Sequence, residues 1–209
     1  MDQVTKPIRN RKLLPFLLSS LLFASYYFVF FLIPSPPNEV SQLHKWILDW
    51  KLYLQIADEI LIFAVLALIP SIYRLANPWR KEESPTALFA SGLIFLLVVP
   101  MFVLVDLLIG RLVYPVNVYP LGEETIVFLL SLQVGTMHMI SLVLALAILL
   151  YSISFRKRKE GRFVFAFGIL TFGFQILASY SWILSPEILL VCQLSFPTWL
   201  ALIHSHAPN

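Results

Sequence analysis

TIVFLLSLQVGTMHMISLVLALAILLYS, residues 125–152, decides the fold. A membrane crossing takes ~20 consecutive apolar residues as a helix, and this stretch has the length and the composition. Its apolar run is interrupted by Ser131, Gly135, His138 and Ser141, at steps of four, three and three. That spacing places the four on one helical face, with Leu, Ile, Val and Met over the rest. Lipid has no use for such a stripe, so it is expected to point inward at other helices.

The surrounding chain has the same character. Of 209 residues 59% are hydrophobic and only 13% charged, with a mean hydropathy of +0.82. A soluble domain of this size has no interior large enough for that much apolar side chain. The charged residues gather in short clusters between long apolar runs, and no segment between runs is long enough to fold alone. The expectation is a single all-α domain over 1–209, a polytopic bundle of six transmembrane helices. Cys192 is the only cysteine. An intrachain disulfide, a CxxC zinc site and a CxxCH haem attachment are therefore excluded, and no cofactor is expected. The net charge of +3 is mild and does not suggest nucleic-acid binding.

Six spans are expected at about 13–33, 53–73, 86–109, 125–152, 163–184 and 186–204. Lys6, Arg9, Arg11 and Lys12 precede the first. It is long enough to span and lacks a small-x-small cleavage site, so it is expected to be retained. Pro34-Ser-Pro-Pro37 stops it. From Asn38 the residues Val40, Leu43, Ile47, Trp50 and Leu54 recur at helical spacing. This pattern suits either a short amphipathic outer helix, with Trp46, Trp50 and Tyr53 in the headgroup layer, or an extension of span two. Pro100 within span three frees the Leu96 carbonyl and predicts a kink. Residues 110–124, with Pro115, Pro120 and Gly122, are expected to form turns. Span five carries an inward line of its own: Gly168, Thr171, Gln175 and Ser179.

With six spans, Lys and Arg fall twelve to three in favour of the side that holds both termini. The positive-inside rule makes that side cytoplasmic, and a bacterial plasma membrane is the expected location. Acids lean the other way, eight outside against four inside. Since acids contribute little to topology, the excess suggests a site for a cation or amine, or plain solvation of the outer rim.

Candidate pocket residues follow from polarity at depth. An acid at the centre of a span costs ~2.5–3.5 kcal/mol on insertion scales. Asp58 and Asp106 lie nearer the outer boundary, and Arg111 is a candidate partner for Asp106. Adjacent Asp58 and Glu59 diverge by about 100°, so at most one faces inward. Gln133, Gln175 and Gln193 are expected at similar depth on spans four, five and six, as interhelical glue or as ligand contacts. His138 lies deeper, with Gln175 or Thr171 in prospect as hydrogen-bond partner. His44 lies outside and His204 and His206 at the far end, so a bis-histidine haem is not expected. No catalytic signature is present: G-x-S-x-G, H-E-x-x-H and Walker A are all missing, and no lysine sits within a span to hold retinal.

Trp46 ahead of an acid-bearing second span, the polar fourth span and the closing Gln193-Leu-Ser-Phe-Pro-Thr-Trp199-Leu200 carry a resemblance. With them the chain resembles an uncharacterised bacterial family of short six-span membrane proteins, a domain of unknown function. That family tends to carry a glutamate six residues before the tryptophan, where this chain has Gln193. The resemblance implies a fold and no activity. Six spans in a short chain are also similar to the substrate-binding subunits of modular vitamin transporters. Those dock through Ala-x-x-x-Ala in the first span, where this chain has only Ala24.

The leading expectation is a small-molecule binding or transport protein with a polar pocket open to the extracytoplasmic side. Its ligand would be a small molecule or a cation. The competing expectations are an accessory subunit that binds a membrane protein partner or a second copy of itself, and an intramembrane enzyme using Asp58, Asp106 or His138.

Overall fold

The computed structural model describes residues 14–76, 86–114, 121–156 and 161–203. The N-terminal basic cluster, Arg80, Lys81, Pro115, Pro120, Lys157 to Lys159, His204 and His206 lie outside the described residues. All regular structure among the described residues is helical: α1 (Leu14–Phe31), a single 3-10 turn (Val40–Gln42), α2 (Leu43–Asp49), α3 (Lys51–Ala76), α4 (Thr86–Val113), α5 (Glu123–Ser154), α6 (Arg162–Ser179) and α7 (Pro186–Ile203). Six of these, all but the 3-10 turn and α2, are long and apolar enough to cross a membrane. That is the mark of a multi-pass membrane protein, because a helix satisfies its own backbone where water is absent.

Each long helix packs against the next in sequence, and α7 returns to α1, so the contacts close on themselves. Hydroxyls fasten the joints: Ser19 Oγ donates to the Ala64 carbonyl at 3.3 Å, Ser20 Oγ to Pro197 and Ser91 Oγ to Ala147 at 2.8 Å. Between apolar helices such bonds contribute about 0.6 kcal/mol each. They also fix the register, since Ser20 near the start of α1 meets Pro197 near the end of α7.

Boundaries moved where local chemistry overruled hydropathy. Residues 110–113 belong to α4 and Glu123 and Glu124 to α5, so the expected turn region is shorter at both ends. The two glutamates sit in the first turn of α5, where the positive end of the helix dipole favours acids. Pro100 lies inside α4 on an exposed face and the helix continues through it. The segment expected as an amphipathic helix is a separate element: α2 ends at Asp49, Trp50 takes a non-helical ψ of 11° and α3 starts at Lys51. α2 buries Leu43, Trp46 and Ile47, whereas Val40 is exposed. The Trp46 Nε1–H donates to the Pro34 carbonyl at 3.0 Å, tying α2 to the turn that ends α1.

The largest correction concerns α6, which stops at Ser179 and not at 184. The Ser179 hydroxyl donates to the Ile176 carbonyl at 2.7 Å, a local bond that competes with the helix. Pro186 opens α7, and the residue before a proline avoids helical geometry. A turn, closed by the Ile183 N–H on the Tyr180 carbonyl, joins the two helices.

The end of the bundle away from α2 is filled with rings. Phe95 and Trp199 stack with centroids 5.7 Å apart, and Tyr151 meets Trp199 edge-on at 5.4 Å. Gly168 is what lets α6 close onto α5 there: a Cβ on it would lie 1.7 Å from Ser152 Oγ and 3.4 Å from Trp199 Nε1.

Candidate functional site

The short α6 leaves the opposite end open. Where it stops, α1, α5 and α7 enclose a cavity of about 480 Å³ beside α2. That lies within the usual range for small-molecule sites. α1 contributes Tyr26, Tyr27 and Phe30, α2 contributes Trp46, and the turn after α6 contributes Ser181 and Trp182. α5 supplies Gln133, Met137 and Ser141, and α7 supplies Leu190 and Gln193. No described residue on this wall carries a formal charge.

Gln133 is only 6% exposed, yet neither its amide nor that of Gln193 hydrogen-bonds another described residue. An amide on a cavity wall without a protein partner is left to water or to a ligand. Trp46 is already committed to Pro34, which leaves the two glutamines as the wall's open amide groups.

Gln175 is elsewhere. It is 2% exposed and donates from Nε2 to the Cys192 carbonyl and to Ser195 Oγ, both at 3.1 Å. This is the interhelical bond that polar residues make between membrane helices, and Gln175 is not on the cavity wall. The three glutamines are therefore at two levels. His138 marks α5 at the height of Ser179, with Gln133 five residues to one side and Gln175 four residues from Ser179 to the other. At ~1.5 Å per residue they are roughly 13 Å apart along the axis. Gln193, beside Cys192, shares the depth of Gln175.

His138 caps α6. Its Nδ1 lies 2.6 Å from the Ser179 carbonyl, one of the acceptors that a helix end leaves over. A carbonyl only accepts, so Nδ1 carries the proton. The ring also meets Tyr180 edge-on at 5.8 Å and Trp182 at 5.5 Å, which steadies the turn forming part of the cavity wall. The expected partners Gln175 and Thr171 are engaged with α7 and with the Phe167 carbonyl. Of the expected α5 stripe, Ser141 is buried and His138 half-buried, but Ser131 and Gly135 are exposed. The buried face runs instead through Gln133, Thr136, Ile140 and Leu144.

Asp58 and Asp106 lie together at the α3–α4 contact, within electrostatic range of each other and of the wall residue Tyr26. They are not on the wall. Asp58 is 8% exposed, and both Oδ1 atoms are buried without a hydrogen-bond partner. Gly110 faces the Asp58 carboxyl: a Cβ there would lie 3.4 Å from Oδ2, in ordinary van der Waals contact. Asp106 Oδ1 accepts no hydrogen bond from Arg111, the partner expected for it. Glu59, adjacent in sequence, is exposed and accepts a 2.8 Å hydrogen bond from the Tyr114 hydroxyl. That bond, with a smaller contribution from desolvation, pushes the Tyr114 phenol up to about 12. Among the described residues no three His, Cys, Asp or Glu side chains converge as a metal site.

The sequence did not single out Tyr26, Tyr27 or Trp182 as wall residues. Aromatic residues in an apolar run look like packing, and Trp182 fell inside an expected span. Pro186 was the available signal that the helix ends early.

No protein family, curated protein or solved structure matches this chain.

Proposed function

We propose that the chain is a six-span bundle with both termini in the cytoplasm, which binds a small molecule in the cavity at its extracytoplasmic end. The twelve-to-three division of Lys and Arg supports the orientation, and it puts α2 and the cavity outside. Gln133 carries the binding reading: a residue more than nine-tenths buried holds an amide that bonds no other described residue against a cavity of ligand size. A purely structural interior would have filled that space or bonded that amide, as it does at Gln175.

The test is native mass spectrometry of protein taken from membranes in mild detergent. A reproducible non-protein mass is expected. It should disappear in Met137→Trp, which fills the cavity, and persist in Ser131→Trp, which adds the same ring on an exposed face. A mass retained equally by both variants, or missing from the unmodified protein, would sink the reading.

A second reading, an accessory subunit for another membrane protein, draws on Ser131 and Gly135. Small residues on an exposed face are what a partner helix packs against. A stoichiometric second polypeptide in the same spectrum, lost on Gly135→Leu, would favour it.

A further inference from the structure

The ligand class follows from what the wall offers and what it withholds, and this step rests on the cavity being a binding site. We propose that the cavity selects an uncharged, elongated molecule with an apolar body and carbonyl, amide or hydroxyl groups that pair with Gln133 and Gln193.

Three observations carry it. First, the described wall holds no formal charge although eight acids lie on or near this side of the chain. Asp58 and Asp106 sit at the α3–α4 contact, and Glu59 is spent on Tyr114 at the surface. An ammonium or a carboxylate entering the cavity would lose its hydration and meet no countercharge on the described wall, which disfavours both. Second, each glutamine presents both a carbonyl acceptor and an NH₂ donor. A neutral group of either polarity can answer them. Third, the two glutamines lie at separate depths, roughly 13 Å apart along the axis, with Phe30, Met137 and Leu190 among the apolar wall residues. A molecule that meets both must be long and mostly hydrocarbon. The volume corresponds to about 16 waters at ~30 Å³ each, enough for a short chain with two polar groups and too little for a two-chain lipid.

Octanediamide, octane diammonium and octanedioate share one skeleton and differ in the charge of their ends, so they separate this proposal from the cation reading directly. Each is titrated into the protein in lipid nanodiscs, following thermal stability and the fluorescence of the tryptophans, two of which, Trp46 and Trp182, line the cavity. The diamide is expected to raise the unfolding midpoint and change the fluorescence saturably, and the charged pair to do neither. Gln133→Leu and Gln193→Leu should each weaken diamide binding roughly five-fold, the worth of one hydrogen bond. Gln133→Glu keeps the shape and adds a charge, so it should reverse the order and favour the diammonium; a glutamine with a merely structural role would not produce that exchange. Tighter binding of the diammonium or the dioate by the unmodified protein overturns the proposal. So does binding of none of the three, and that outcome still leaves the cavity reading to the co-purified mass, which does not depend on these probes.

Discussion

The two ends of the bundle are built from the same helices and the same kinds of residue, yet they handle space in opposite ways. At the end away from α2, Tyr151 and Trp199 fill the centre and Gly168 lets the helices close on them. Hydroxyls there bond backbone, as Ser91 does to Ala147 and Ser152 to Ile148. At the α2 end, α6 stops early, about 480 Å³ stays open and the amides of Gln133 and Gln193 on its wall bond no other described residue. Buried polar atoms without a hydrogen bond occur at both ends, the Asp58 and Asp106 Oδ1 here and the Trp199 Nε1 there. Filled space is what a stable structure selects, so the end that keeps a cavity of ligand size open is where function is expected. One end holds the bundle together, and the other is kept open at a cost to stability.

The comparison breaks most readily at Gly168. If the packed end carries the stability, Gly168→Ala should destabilise by about 1–3 kcal/mol. The new methyl meets Ser152 Cβ at 2.7 Å as well as its hydroxyl, so turning one side chain does not relieve it. Thermal unfolding in detergent measures this directly. An unchanged midpoint would mean that the helices can part there freely, and the packed end would lose its role.

The hollow end predicts the opposite sign. Asp58→Asn replaces a buried carboxyl that lacks a partner at Oδ1 with a neutral group, and should raise stability at neutral pH by on the order of 1 kcal/mol. Diamide binding should be unaffected, because Asp58 and Asp106 are not on the wall. A fall in stability would show that the carboxyl pair is an asset to the fold, and the contrast between the ends would have to be redrawn.

How far the sequence revealed this difference depends on which signal was read. Six apolar runs of spanning length were plain, because lipid imposes length and hydropathy on every crossing. The inward line Gly168, Thr171, Gln175 and Ser179 was legible too: all four are buried, and α6 carries no rival set of polar residues. α5 misled for the converse reason. It has small or polar residues on two faces, and the line through Ser131 and Gly135 is the exposed one, opposite Gln133 and Thr136. Depth was the other obscure quantity. Counting residues from expected span ends put three glutamines level, but the early stop of α6 shifted the frame, and a helix end set by one hydroxyl and a following proline leaves little trace in hydropathy. The acids drew attention because charge in an apolar run is conspicuous. Of the uncharged wall, Gln133 and Gln193 stood out by their polarity, whereas the tyrosines and Trp182 did not.

The smallest expected effect sharpens the claim that charge at the hollow end stays on its rim. Tyr114 follows the last turn of α4, and its hydroxyl donates to Glu59. Ionising the phenol beside that carboxylate would bring two negative charges together and lose the bond, so its titration is pushed up to about 12. The sign follows from linkage: a group whose value is higher in the folded state contributes stability in full below its unfolded value of ~10. That contribution is lost as pH rises from there through about 12. It is small, because the pair lies near the surface, where solvent screens it. Glu59→Gln should return the Tyr114 titration towards its ordinary range, followed as tyrosinate absorbance against a Tyr114→Phe control, and leave the neutral-pH unfolding midpoint nearly unchanged. Diamide binding should not respond. If it did, Glu59 would reach the cavity after all, and the uncharged wall on which the ligand class depends would no longer be uncharged.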